Sequence, residues 1–228
     1  MASLAYGAAG RASKAGAVTF FAGAATLAAP TMAETLEIVA LGDSLTAGYG
    51  LPDGQGFVPQ LQAWLDDNGV DATVVNAGVS GDTTAGGLAR LNWALSDGTD
   101  AMIVALGGND LLRGLPPEAS RANLDAILST VVGERALPVL LIGLEAPGNY
   151  GPDFKADFDA MYPELAREYG TLHETSFLGP LVAEVDMATA RKRYVQPDGV
   201  HPNAEGVRLI VEAFGPRVAE LVARVATN

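Results

Sequence analysis

The 228-residue chain contains no cysteine and only two histidines, and its 14 Lys and Arg residues stand against 27 Asp and Glu. Without cysteine there is no disulfide scaffold, no cysteine nucleophile and no thiolate metal site. Two histidines far apart in sequence, without cysteine, build no familiar zinc centre, and no loop pattern supports a calcium site, so no metal or cofactor is implied. The shortage of basic residues leaves a formal net charge of −13. Such a surface repels nucleic acid and anionic lipid head groups, and says little about a small neutral substrate. No apolar run reaches the ~20 residues needed to span a bilayer. Linkers, low-complexity stretches and internal repeats are absent after residue 33, which points to one domain.

What is present begins with an unusual first stretch. Arg11 and Lys14 are the only charges before Glu34. They precede the apolar, small-residue run Ala15 to Ala29, and Pro30-Thr31-Met32-Ala33 then supplies small residues of the kind a signal peptidase reads. This pattern predicts an export leader over residues 1–33, cleaved after Ala33, a periplasmic or secreted product and no stable membrane anchor. The remaining chain, 34–228, is 49% hydrophobic over the whole sequence's composition and long enough for a core that holds without disulfides.

From Leu36 onward, apolar runs alternate with helical patterns. Leu36 to Leu41 reads as a buried strand, ended by Gly42, with Asp43 and Ser44 where the turn would feed a helix. Phe57 to Leu65 has helical spacing and stops at Asn68-Gly69. Val70 to Asn76, Ala101 to Leu106 and Pro138 to Gly143 read as further strands, with Thr171 to Thr175 as a short last one. Helices are predicted over 85–95, from Pro117 to about Gly133, over 154–169 and over 203–225, with a possible kink at Pro163 and a bend at Gly215-Pro216. The alternation predicts an α/β fold: a single doubly wound, mostly parallel sheet of about five strands between helical layers.

Candidate chemistry sits in four turns that parallel strands would gather at one sheet edge. They are Asp43-Ser44, Ser80-Gly81-Asp82, Gly107-Gly108-Asn109-Asp110 and Asp198-Gly199-Val200-His201. Taken singly, each has a plainer explanation. Asp43 and Ser44 are both favoured helix caps, and Gly and Asn dominate turns anyway. A serine hydroxyl becomes a nucleophile only when a base takes its proton. His173, in TLHET, lacks loop chemistry and reads as a structural or surface histidine. His201 lies between an Asp-Gly turn and Pro202, with Asp198 three residues earlier, so a carboxylate can orient its imidazole. The backbone N–H groups of Ser44 and Gly81 and the amide of Asn109 could then receive an oxyanion. An α/β-hydrolase elbow G-x-S-x-G fails, because Thr46 occupies its last position.

Together and in this order, the blocks Gly42-Asp43-Ser44-Leu45, Gly81 within SGDT, Gly107-Gly108-Asn109-Asp110 and Asp198-Gly199-Val200-His201-Pro202 resemble the SGNH (GDSL-type) esterase and lipase superfamily. The strings NAGVSGDTT, GLARL, LGGNDLLRG and APGNYG bring the resemblance closest to exported bacterial multifunctional acyl-CoA thioesterase I/lysophospholipases and their arylesterase relatives. The resemblance implies a flavodoxin-like three-layer α/β/α fold. It implies Ser44 as nucleophile, His201 as base, Asp198 as its orienter, and Ser44, Gly81 and Asn109 as the oxyanion hole. It also implies that the loop Leu144–Gly151 lines the acyl pocket and moves on binding. Asp43, Leu144, Glu145, Pro147, Asn149 and Tyr150 are accordingly expected to bind substrate, with the charge of Glu145 set against an unchanged long-chain preference. The expected substrate is a small acyl ester or thioester, taken by a monomer. A carbohydrate O-acetyl esterase, or a non-catalytic extracytoplasmic protein binding acyl or sugar ligands, are the alternatives.

Overall fold

In LEIVALG, the residues of β1 (Leu36–Gly42), side chains alternate between two buried faces. Ile38 and Ala40 pack into one apolar cluster and Val39 and Leu41 into another. Only a strand covered on both sides has that need, and it accounts for the unbroken apolar run. The computed structural model describes residues 1–5, 7, 35–183, 185–225 and 227. By contacts the chain divides into Met1–Ala33 and Glu34–Asn228. The expected leader over 1–33 falls almost wholly outside the described residues.

The second unit carries a five-stranded sheet of order β2-β1-β3-β4-β5, with β2 Ala72–Gly78, β3 Thr99–Ala105, β4 Val139–Ile142 and β5 Leu172–Glu174. Every pairing is parallel. This is the flavodoxin-like order, in which the chain winds one way from β1 and then the other, leaving a crevice beyond the carboxyl end of β1. On one face lie α2 (Phe57–Asp67) and the closing α9 (Ala204–Val225), which pack Phe57, Leu61, Leu65, Ile210 and Phe214 against Ile38 and Ala40. The other face is covered by α3 (Thr84–Ala89), α4 (Leu91–Ala94), α6 (Pro117–Leu128) and α7 (Pro152–Tyr169). Each fully buried Leu, Ile or Phe in these layers contributes about 1.5–3 kcal/mol of transfer free energy. Among the described residues no helix is long and apolar enough to cross a membrane.

The fold departs from the periodicity in several places. The helix expected over 85–95 breaks at Arg90, whose φ of −108° and ψ of 7° are not helical. The glycine turn 107–110 opens a short helix, α5 (Gly108–Leu112). The helix from Pro117 gives way after Leu128 to a wider π-type turn, Ser129–Glu134. α9 continues as one helix through Gly215-Pro216. There the glycine makes room instead, since a Cβ at 215 would sit 2.4 Å from the Trp64 ring. A further helix, α8 (Met187–Tyr194), has no counterpart in the reading above. Its run TARKR carries little apolar periodicity, and Asp186 caps it through hydrogen bonds from the N–H groups of Ala188 and Thr189.

Candidate active site

Two carbonyl-terminated strand ends, β1 and β3, and the loop before α9 converge on one hydroxyl. Gly42 must be a glycine, because a Cβ there would fall 2.0 Å from Thr46 Oγ1. The chain then turns into a one-turn helix, α1 (Ser44–Ala47), with Asp43 as its N-cap accepting from the Leu45 N–H at 3.0 Å. Ser44 is therefore the first helical residue, half-buried at the rim of the sheet.

His201 Nε2 lies 2.8 Å from Ser44 Oγ, and its Nδ1 lies 2.7 Å from Asp198 Oδ2. The residues are 157 positions apart for the first contact and three for the second. The short loop that carries the pair is tied at both ends. The Gln196 N–H donates to the His201 carbonyl at 2.7 Å, and Val195 bridges Pro202. Asp198 Oδ1 accepts from the N–H groups of Val200 and His201 at 2.9 and 3.1 Å, which leaves Oδ2 to face the imidazole. These backbone hydrogen bonds, then the bond to His201, hold the Asp198 carboxyl down at about 2. It is ionised throughout the neutral range, so the proton on the imidazole belongs on Nδ1 and the Nε2 lone pair faces the Ser44 hydroxyl. The Tyr49 ring packs 4.8 Å from the imidazole.

Asp43 beneath Ser44 is 2% exposed. Burial raises its carboxyl to about 6, with the Leu45 N–H and His201 opposing and the carboxylates of Asp110 and Asp82 adding to the rise.

Asn109, the second residue of α5, donates from its side-chain amide to the Asp82 carbonyl at 2.8 Å, which engages one of its two N–H bonds. Its neighbour Asp110 is buried and accepts from Thr84 N–H (2.8 Å), Thr84 Oγ1 (2.6 Å) and Ser120 Oγ (3.0 Å). This carboxylate pins the start of α5 to the start of α3, and so fixes where Asn109 stands. Gly81, on the turn after β2, has a φ of +89°, a region that favours glycine. Its carbonyl accepts from Arg113 at 2.8 Å, and among the described residues its N–H has no partner.

A cleft of about 520 Å³ opens beside the hydroxyl. Asp43, Ser44, Asn109, Leu144, Glu145, Pro147, Asn149, Tyr150 and His201 all line it, whereas Asp198 stands behind the imidazole and Gly81 is not on its wall. Leu111, Leu112, Leu178, Arg191 and Val200 line it too and were not anticipated. The leucines of α5 lie inside the string LGGNDLLRG, so that string held their signal. Leu178 and Arg191 come from segments without periodicity. His173 sits in β5, half-buried with its imidazole lowered mainly by burial, outside this cleft.

The loop that forms the far wall is held at Ala146 and at Tyr150, whose hydroxyl donates to the Leu112 carbonyl at 3.3 Å. Ala146 donates its N–H to Asp159 Oδ1 at 2.7 Å, and its carbonyl accepts from Lys155 Nζ at 2.7 Å. Beyond it a column of rings descends α7: Tyr150 to Phe154 (4.9 Å between centroids), Phe154 to Phe158 (6.0 Å) and Phe158 to Tyr162 (5.8 Å). Tyr162 closes the column by donating to the Leu106 carbonyl at 2.9 Å, and burial keeps its phenol protonated. A hydroxyl backed by an oriented imidazole, beside a half-used amide and a mixed polar and apolar cleft, is suited to attack on an acyl carbon.

Comparison with known proteins agrees with that chemistry. The family described as "GDSL-like Lipase/Acylhydrolase family" matches residues 40–209. Esterase TesA of Pseudomonas aeruginosa is 39% identical over 191 residues, covering 83% of this chain and 90% of that protein. Thioesterase 1/protease 1/lysophospholipase L1 of Escherichia coli is 37% identical over 192 residues, covering 83% and 86%. The crystal structure of AlinE4, described as an SGNH-hydrolase family esterase, superposes with a TM-score of 0.66 at 42% identity, over 83% of this chain and 98% of that one.

Proposed function

Because the chain belongs to the GDSL-like lipase/acylhydrolase family and is an esterase, we propose that it cleaves carboxylic esters of aryl or short-to-medium acyl type through an acyl-Ser44 intermediate. Acyl thioesters and lysophospholipids are further substrates suggested by the relatives' names. The observation that carries the reading is the 2.8 Å contact between His201 Nε2 and Ser44 Oγ. In this reading His201 takes the hydroxyl proton as Ser44 attacks, then returns it to the leaving group. Asp198 holds the imidazole in the required tautomer. The N–H groups of Ser44 and Gly81 and the free N–H of Asn109 receive the negative charge that develops on the carbonyl oxygen. Water repeats the sequence to release the acid. Asp43, Leu144, Glu145, Pro147, Asn149 and Tyr150 contact the substrate. Glu145 places a carboxylate in the acyl-binding wall, which disfavours long apolar chains.

The leader pattern at 1–33 supports export to the periplasm or beyond, with the cleft facing that compartment. Small-molecule esters are the partners, and a monomer suffices because every residue invoked lies on one chain.

Ser44→Ala is expected to lower p-nitrophenyl acetate turnover by about 10⁴-fold or more while the protein stays folded. A fluorophosphonate probe should label wild type and not the variant. Turnover persisting in pure Ser44→Ala protein would overturn the assignment. In a p-nitrophenyl ester series run beside palmitoyl-CoA, Glu145→Ala should move the optimum towards longer chains, and an unmoved optimum would remove Glu145 from the acyl wall.

A further inference from the structure

Arg90 stands where the expected single helix breaks into α3 and α4, and the break aims its side chain at the carboxyl ends of the sheet. Its Nε donates to Asp82 Oδ2 at 2.5 Å, one Nη to the Ala77 carbonyl at 2.8 Å and the other to the Gly42 carbonyl at 2.9 Å. Gly42 ends β1 immediately before Asp43 and Ser44, Ala77 lies near the end of β2, and Asp82 follows Gly81. One planar guanidinium therefore bonds the strand that delivers the nucleophile, the neighbouring strand and the turn that delivers the Gly81 N–H. The ion pair with Asp82 is largely enclosed, with side-chain exposures of 17% and 18%. The Asp82 carbonyl is held by the Asn109 amide, and the Gly81 carbonyl by Arg113.

We propose that Arg90 is the positioning residue of the oxyanion hole, fixing the Gly81 N–H relative to Ser44 without touching substrate. The inference rests on the reading of Ser44 and Gly81 given above. Donors to an oxyanion act only if they are set before the charge appears, and a displacement of about 1 Å from distant residues costs about 10²-fold in rate. Gly81 is exposed, on a positive-φ turn, and cannot hold its own N–H in place. A lysine could not replace Arg90, because a single ammonium does not span three acceptors in one plane.

The test compares wild type, Arg90→Ala, Arg90→Lys and Asp82→Asn on p-nitrophenyl acetate, with folding followed by circular dichroism and thermal melting. Arg90→Ala should lose about 10²-fold in kcat with KM changed by less than about threefold, as befits an interaction realised in the transition state. Guanidinium chloride at non-denaturing concentration should restore about tenfold of that loss, and Arg90→Lys should remain impaired. Asp82→Asn leaves both carbonyl bonds intact and should lose about tenfold in kcat. Combined with Asn109→Ala, Asp82→Asn should be non-additive, since both act on one turn. Wild-type kcat in folded Arg90→Ala, or in Asp82→Asn where Arg90→Ala does not fold, would overturn the proposal. So would a loss in Arg90→Ala that merely tracks the unfolded fraction while Asp82→Asn is fully active. Failure of the clamp leaves wild-type turnover intact and dependent on Ser44, whereas failure of the serine-esterase reading shows in wild type and Ser44→Ala directly.

Discussion

Asp43 does two jobs with one carboxylate, and they pull against each other. As the N-cap of α1 it accepts from Leu45 and orients the turn that carries Ser44. At 2% exposure it does so almost without water, and burial raises it from 3.8 to about 6. A raised carboxyl means that the folded protein holds this proton more tightly than the unfolded chain. The stability it confers is full below pH 4 and is lost as pH rises through 6. Asparagine keeps the cap's acceptor and removes the charge. Asp43→Asn should therefore be near neutral at pH 4 and stabilise the protein by on the order of 2 kcal/mol at pH 8, read by urea unfolding at both pH values. An equal effect at the two values would show that the charge is not the cost. Asp198 is the converse case three residues from His201: backbone N–H groups hold its charge, so it stays ionised well below neutrality.

Among elements, α1 is a single four-residue turn set tightly against the sheet. It rests on the end of β2 at Gly78, where a Cβ would come 2.4 Å from Ala47 N and 2.9 Å from the Thr46 carbonyl carbon. These are backbone atoms that no rotamer change can clear. Gly78→Ala must push α1, and Ser44 with it, off the sheet. The expected result is a loss of at least about tenfold in kcat together with a lower melting temperature, since overpacking costs about 1–3 kcal/mol. The same scale shows what could be read beforehand. β1 and β3 were legible because strands buried on both faces demand unbroken apolar runs. The Ser44, Asn109 and Asp198–His201 turns were legible because their residue types are rarely combined by packing alone. The split at Arg90 was not, because Leu88, Leu91 and Leu95 keep helical spacing across it while two strand-end carbonyls, of Gly42 and Ala77, and the Asp82 carboxylate draw the arginine out. The need for glycine at 215 was hidden for a similar reason: its cause is Trp64, about 150 positions away. Helix α8 had a cap at Asp186 and little else to announce it.

At the scale of the molecule, the sheet order β2-β1-β3-β4-β5 with every strand parallel has a directional consequence. Each residue proposed for chemistry leaves from a carboxyl end or from the loop that folds over it, so one margin of the sheet is crowded with function. At the opposite margin, where the chain re-enters the strands near Gly69, Gly98, Ala136 and Gly170, stands none of the residues proposed for chemistry. Lengthening a flexible connection is inexpensive, about 0.6 kcal/mol per doubling. Four Gly and Ser residues inserted between Asp97 and Gly98, both exposed, should leave kcat and KM within about twofold of wild type and lower the melting temperature only slightly. The protein thus offers a blank margin on which a tag, a tether or a second domain can be grafted while the written margin goes on reading esters.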